Sequence, residues 1–195
     1  ILTAAHCVWR KNIQQVFAVI GQENISNILN FRRYEIAAVE YINFRFSTLR
    51  NDIALLRLQQ PYQTPYASEL WPSTINGSRI YAKLPKYGMK ANRKTGKNQS
   101  NLREGFCHVI SNKKCQNLMG HIWAPQNGEN KVCALGGEQD ACQGDSGGPL
   151  TCSYGGQDYI YGIVSHGMSC GSANPVGVYT VTIPYLEWIN SVINH

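Results

Sequence analysis

The chain has 195 residues, a formal net charge of +6, and a composition that is 43% hydrophobic and 15% charged. That length suits one large domain or two small lobes, and the balance of apolar and charged residues excludes wholesale disorder. No run approaches the roughly 18 consecutive apolar residues of a membrane-spanning helix, so a span of that kind is excluded too. The seven cysteines are many for a cytosolic protein and an odd number for a secreted one: either one thiol is unpaired or its partner lies outside the chain.

The chain opens Ile1-Leu2-Thr3-Ala4-Ala5-His6-Cys7, without an initiator Met or a signal peptide. A β-like apolar stretch running straight into His-Cys reads as a fragment whose N-terminal part is missing. Alternating or short apolar runs predict strands over Val16–Ile20, Tyr34–Ile42 and Ile53–Leu58. Gln59–Ser78, with Pro61, Pro65 and Pro72, then reads as a connector between two halves. The second half opens on a basic segment in which Met89–Glu104 is expected to be an exposed loop. Cys107–Ile110 follows as a strand, and Ser111 caps a short helix ending at Gly120. Further strands are predicted over Lys131–Leu135, Pro149–Ser153, Tyr159–Ser165 and Gly177–Thr182. A last helix starts after Thr182 with Pro184 in its first turn. Its apolar stripe, Tyr185, Ile189, Val192 and Ile193 with Leu186 beside them, would dock it on the body. The pattern is that of an all-β protein built as barrels or sandwiches.

The net charge belongs to one segment. Ten of the 18 Lys and Arg residues lie between Arg79 and Lys114, opposed only by Glu104, while the rest of the chain is slightly acidic. Such a patch either attracts a polyanion such as a glycosaminoglycan or is a solvated loop. Aromatics do not interleave the charges as a single-strand nucleic-acid groove requires, so no nucleic acid is expected. The cysteines form no C-x-x-C pair, which argues against a zinc ribbon or a thioredoxin-type site and for structural disulfides in an oxidising compartment. Three Asn-x-Ser sequons, at Asn24, Asn76 and Asn98, agree with an extracellular, secreted glycoprotein.

The chemistry concentrates in Asp140-Ala-Cys-Gln-Gly-Asp-Ser-Gly-Gly-Pro149. A serine is a poor nucleophile until a base takes its proton, and the oxyanion that forms needs backbone N–H groups aimed at it. Glycines around Ser146 allow a tight turn in which the Gly144 and Ser146 amides point inward. The base candidate is His6 in Thr-Ala-Ala-His-Cys. The carboxylate to orient its ring is Asp52 in Asn-Asp-Ile-Ala-Leu-Leu. Each alone has an ordinary reading as turn, cap or solvated acid; the three contexts together, in the order His, Asp, Ser, do not.

These three motifs, with Gly162-Ile-Val-Ser165 and Gly177-Val-Tyr-Thr180, resemble the signatures of the trypsin-like serine proteases along the whole chain. The resemblance implies two antiparallel six-stranded β-barrels, the first incomplete at its N-terminus, with the active site between them. The barrels would span residues 1–72 and 73–182, and the C-terminal helix 183–195, all in one peptidase domain. It implies a His6-Asp52-Ser146 triad, an oxyanion hole at Gly144 and Ser146, and no cofactor or metal. The substrate site would comprise Asp140, Ala141, Ser165, His166, Gly167 and Gly177. Asp140 at the pocket floor would pair with a substrate Arg or Lys. Ala141, where trypsins commonly have Ser, removes a partner for an ammonium more than for a guanidinium, so Arg is expected over Lys. Protein substrates and protein protease inhibitors are the implied partners.

The same resemblance implies Cys115–Cys133 and Cys142–Cys170 disulfides. Ala82 stands where Cys152 would find its partner, so a relocated Cys107–Cys152 bridge is expected, and Cys7 is left to pair upstream. Asp145 is the implied partner of an activation-generated N-terminus; without it the carboxylate would be uncompensated and the fragment inactive. His166 stands where the family has Trp. It would alter the preference for neighbouring substrate residues, add a pH-sensitive group, or be a surface packing change. Tyr87 likewise replaces a Trp, and Gln22 argues against a calcium loop. Two other classes compete. An inactive homologue serving as a binding module usually lacks a triad residue, and here all three are present. An α/β-hydrolase elbow at Gly144-x-Ser146-x-Gly148 needs a strand before it, which Glu138–Gln143 is not.

Overall fold

The computed structural model describes residues 1–62, 81–86, 101–136, 144–154, 156–167 and 176–194. The first part of the chain forms a four-stranded antiparallel sheet in the order β1-β4-β3-β2, from Leu2–Thr3 (β1), Phe17–Ala18 (β2), Tyr34–Tyr41 (β3) and Ala54–Leu58 (β4). A single helical turn, Ala5–Val8 (α1), follows β1. Ala5, Val8, Ile36, Phe44, Ala54 and Leu56 bury together beneath this sheet.

The second part closes into a six-stranded antiparallel barrel, β10-β7-β6-β5-β8-β9. Its strands are Tyr81–Lys86 (β5), Arg103–Ile110 (β6), Lys131–Gly136 (β7), Pro149–Tyr154 (β8), Gln157–Gly167 (β9) and Val176–Val181 (β10). Among the described residues, closure leaves this barrel without an unpaired edge strand. The fold is therefore all-β, with two curled antiparallel sheets of the chymotrypsin type and a C-terminal helix. The expected strand at Val16–Ile20 shortens to Phe17–Ala18, because a 3₁₀ turn at Ile13–Gln15, capped by the Asn12 side chain, occupies the approach. Most of the expected connector Gln59–Ser78 and loop Met89–Glu104 lies outside the described residues; the last part of that loop is strand, since β6 begins at Arg103.

Helix Asn112–Met119 (α2) is capped by Ser111, whose hydroxyl accepts from the Lys114 N–H at 3.3 Å, and ends at Gly120 with φ +81°. A disulfide, Cys115–Cys133, ties α2 to β7. The expected Cys107–Cys152 bridge is not formed. Both residues register against Ala82, Cys107 from β6 and Cys152 from β8. Strand β5 therefore stands between them. Two strand spacings are about 9.5 Å, beyond the roughly 7 Å that a disulfide spans between Cα atoms.

Helix Leu186–Ile193 (α3) joins the two parts. Ile189 and Tyr185 bury with Ala4, Ile53, Leu55 and Ile163, which come from both sheets. Ile193, counted in the expected stripe, is 56% exposed because it lies in the last helical turn, beyond that cluster. The shared cluster fixes the start of α1, the start of β4 and the middle of β9 against one another, and these three segments carry the candidate site.

Candidate active site

Asp52 enters the cleft from the turn before β4. Asn51 shapes that turn, with φ +52° in the left-handed region that Asn tolerates. Both ends of the Asn51 side chain are held: Tyr185 Oη donates to its Oδ1 at 2.8 Å, and its Nδ2 donates to the Asn43 carbonyl at 3.1 Å. Asp52 is fully buried. The His6 backbone N–H donates to Oδ1 at 2.9 Å, His6 Nδ1 lies 2.7 Å from Oδ2, and Ser165 Oγ donates to the same Oδ2 at 2.6 Å.

A carboxylate only accepts, so His6 Nδ1 carries the proton and Nε2 is the basic atom of the neutral ring. The bond to Asp52, then the contact with Cys7, raise the His6 pKa from 6.5 to about 10, with burial opposing them. Cys7 Sγ lies 3.6 Å from Nε2.

Ser146 is half-buried on the turn Asp145–Gly148. The Gly148 N–H closes the turn on the Asp145 carbonyl at 3.0 Å, and the Gly147 N–H anchors it to the Val164 carbonyl of β9 at 2.9 Å. Neither bond uses the Ser146 N–H. Gly144 and Gly147 have φ +100° and +83°, which side chains strain to adopt. A Cβ at Gly147 would collide with the Thr3 side chain and come within 3.2 Å of Ala4 N and 3.4 Å of Cys7 Sγ. The serine turn therefore lies directly on the segment that presents His6. No hydrogen bond joins Ser146 Oγ to His6 among the described residues; Nε2 meets Cys7 instead.

Asp145 is buried and is not without an interaction partner. Gly167 and Gly177 stand opposite each other where β9 meets β10. A Cβ on Gly167 would meet the Val176 carbonyl at 3.0 Å, and one on Gly177 the Tyr179 hydroxyl at 2.6 Å, so neither position has room for a side chain. His166 lies beside Ser165, its Nδ1 3.2 Å from Ser165 Oγ. Asp140, Ala141, Cys142 and Cys170 lie outside the described residues.

Sequence reasoning missed three supports. Tyr185, read as part of an apolar stripe, also anchors Asn51. Ser165, assigned to substrate binding, also donates to Asp52. Lys131 is buried at the start of β7, its Nζ donating to the Thr48 carbonyl at 3.4 Å. A lysine opening a strand gives no sign of burial; the Asn preceding Asp52 was the one legible signal, since Asn tolerates left-handed turns.

Known proteins resemble the chain along nearly its whole length. The family model described as Trypsin matches residues 1–189. Vitamin K-dependent protein C of Oryctolagus cuniculus is 32% identical over 99% of this chain and 44% of that protein, and its Mus musculus counterpart is 30% identical over the same shares. Trypsin eta of Drosophila erecta is 30% identical over 98% of this chain and 73% of that protein. The chain thus spans less than half the length of the two protein C relatives. With the family match running through both sheets and into the last helix, the chain belongs to the trypsin family.

Proposed function

We propose that the chain carries the catalytic domain of a serine endopeptidase that cleaves after Arg in preference to Lys. The observation that carries the reading is the buried Asp52 carboxylate holding His6 Nδ1 at 2.7 Å, with the Ser146 turn packed on the same segment. Family membership supports serine-protease chemistry in general, and the role of each residue is the one that the family resemblance implies for it.

Ser146 Oγ attacks the scissile carbonyl carbon while the neutral form of His6, which becomes populated as pH rises toward its raised pKa of about 10, takes the proton at Nε2. Asp52 keeps the proton on Nδ1 and stabilises the imidazolium that forms. The Gly144 and Ser146 N–H groups receive the negative charge of the tetrahedral oxygen. His6 then returns the proton to the leaving amine as the C–N bond breaks, leaving an acyl-Ser146 ester. Water, deprotonated by His6, hydrolyses that ester. Asp140 pairs with the substrate guanidinium, Ala141 withholds the hydroxyl an ammonium prefers, and Gly167 and Gly177 leave the pocket mouth open. Cys142–Cys170 is the further disulfide of this reading. Protein inhibitors and, through residues 79–114, a polyanion are the proposed partners. An extracellular, secreted setting with sequon glycosylation and zymogen activation fits the disulfide Cys115–Cys133 and the dispersed cysteines.

The alternative is a non-catalytic homologue acting as a binding module. The contact of His6 Nε2 with Cys7 rather than Ser146 is the one observation on its side. Matched fluorogenic peptides ending in Arg or Lys decide. The protease reading expects, of the whole protein that carries this chain, turnover that is higher for Arg and abolished by Ser146→Ala, and of the chain by itself no activity. Equal or better turnover of the Lys peptide overturns the specificity, and turnover indifferent to Ser146→Ala overturns the mechanism.

A further inference from the structure

The His166 ring lies between two oxygens, with Nδ1 3.2 Å from Ser165 Oγ and Nε2 3.4 Å from the Trp123 carbonyl. Ser165 is 3% exposed, and its hydroxyl proton is already committed to Asp52, 2.6 Å away. Toward His166 it therefore offers lone pairs, and the Trp123 carbonyl offers the same. A neutral imidazole has one N–H and satisfies one of these acceptors; an imidazolium satisfies both.

We propose that His166 is a positioning residue for the Asp52–His6 pair, acting through Ser165, and that its protonation state sets how firmly Ser165 donates to Asp52. When His166 is charged, its N–H polarises the Ser165 hydroxyl in the direction of Asp52, and the two bonds strengthen each other. Negative charge on Oδ2 is drawn toward Ser165 and away from His6 Nδ1. Acid thus loosens the grip of Asp52 on His6 by a route separate from the titration of His6. The charge environment of His166 is mixed. Burial and the Lys131 ammonium, followed by the His6 imidazolium, disfavour its charged form, while the Trp123 carbonyl and the Asp52 carboxylate favour it. The net direction is downward, so the switch operates below the ordinary histidine pKa of 6.5.

The inference rests on His6 and Asp52 being the working pair, but its test needs no turnover. In the full chain, the His6 Nδ1–H proton resonance reports the bond to Asp52. On titration from pH 8 to pH 4 it is expected to shift with an inflection that coincides with the His166 Cε1–H titration. His166→Phe is expected to abolish the inflection while the His6 signal itself persists. Lys131→Met is expected to move the inflection and the His166 titration upward together, and it decides the matter should the His166 variant not fold. A His6 signal that stays flat through the His166 titration overturns the proposal. So does an inflection that survives His166→Phe, or one that stays in place while Lys131→Met moves the His166 titration. A chain that binds and cleaves nothing leaves all of these readouts intact, so failure of the protease reading is distinguishable from failure of this one.

Discussion

Removing a carboxylate from water costs several kcal/mol unless its oxygens are paired. Asp52 meets that cost with three donors: the His6 N–H, the His6 ring and the Ser165 hydroxyl. The pairing has a sign that can be tested. His6 binds its proton more tightly in the folded state, with a pKa of about 10 against 6.5. The stability this adds is fully present below pH 6.5 and is lost as pH rises toward 10. Asp52→Asn removes the charge that holds the proton. Urea unfolding between pH 6 and pH 10 should therefore show the gap between wild type and Asp52→Asn narrowing as pH rises; a constant gap contradicts the assignment. The same variant misdirects the His6 tautomer, a change that lowers kcat about 10⁴-fold in a chymotrypsin-type protease. A comparable loss of turnover is expected here.

The serine turn works as a unit because glycine lets it approach the His6 segment. Gly147→Ala introduces a Cβ at φ +83° directly against Thr3 and Ala4. The turn must retreat from His6, and a misplacement of about 1 Å can cost on the order of 10²-fold in rate. The expected result is a kcat/KM about 10²-fold lower with Ser146 still present; unchanged turnover contradicts the packing. Elements were legible in the sequence where one physical signal dominated. The Ser111 cap and Gly120 stop framed α2, and short, mostly apolar runs marked β4 and β10. Strand β5 was not legible, because Lys83, Pro85 and Lys86 give it the composition of a loop. Pairing with β6 and β8 makes it a strand, and such long-range pairing leaves no local trace. The expected Cys107–Cys152 bridge fails on the same pairing, since Ala82 of β5 lies between the two cysteines.

At the scale of the whole molecule, one shared apolar cluster sets the site. Ala4, Ile53 and Leu55 from the first sheet meet Ile163 from the barrel and Ile189 from α3. Those residues adjoin His6, Asp52 and Ser165, so docking of the two sheets and assembly of the Asp52 hydrogen bonds are one event. The contexts of His6, Asp52 and Ser146 were readable in the sequence because they are contiguous motifs. The buried Lys131 and the His166–Ser165–Asp52 chain were not, since they exist only once the sheets meet. The central claim is that this assembly makes Ser146 a nucleophile. Mass spectrometry of the whole protein that carries this chain, after exposure to an arginine-derived phosphonate ester, tests it most directly. A single covalent adduct on Ser146, lost in both Ser146→Ala and His6→Ala, is the predicted result. An unlabelled Ser146, or labelling that persists in His6→Ala at the wild-type rate, would contradict it.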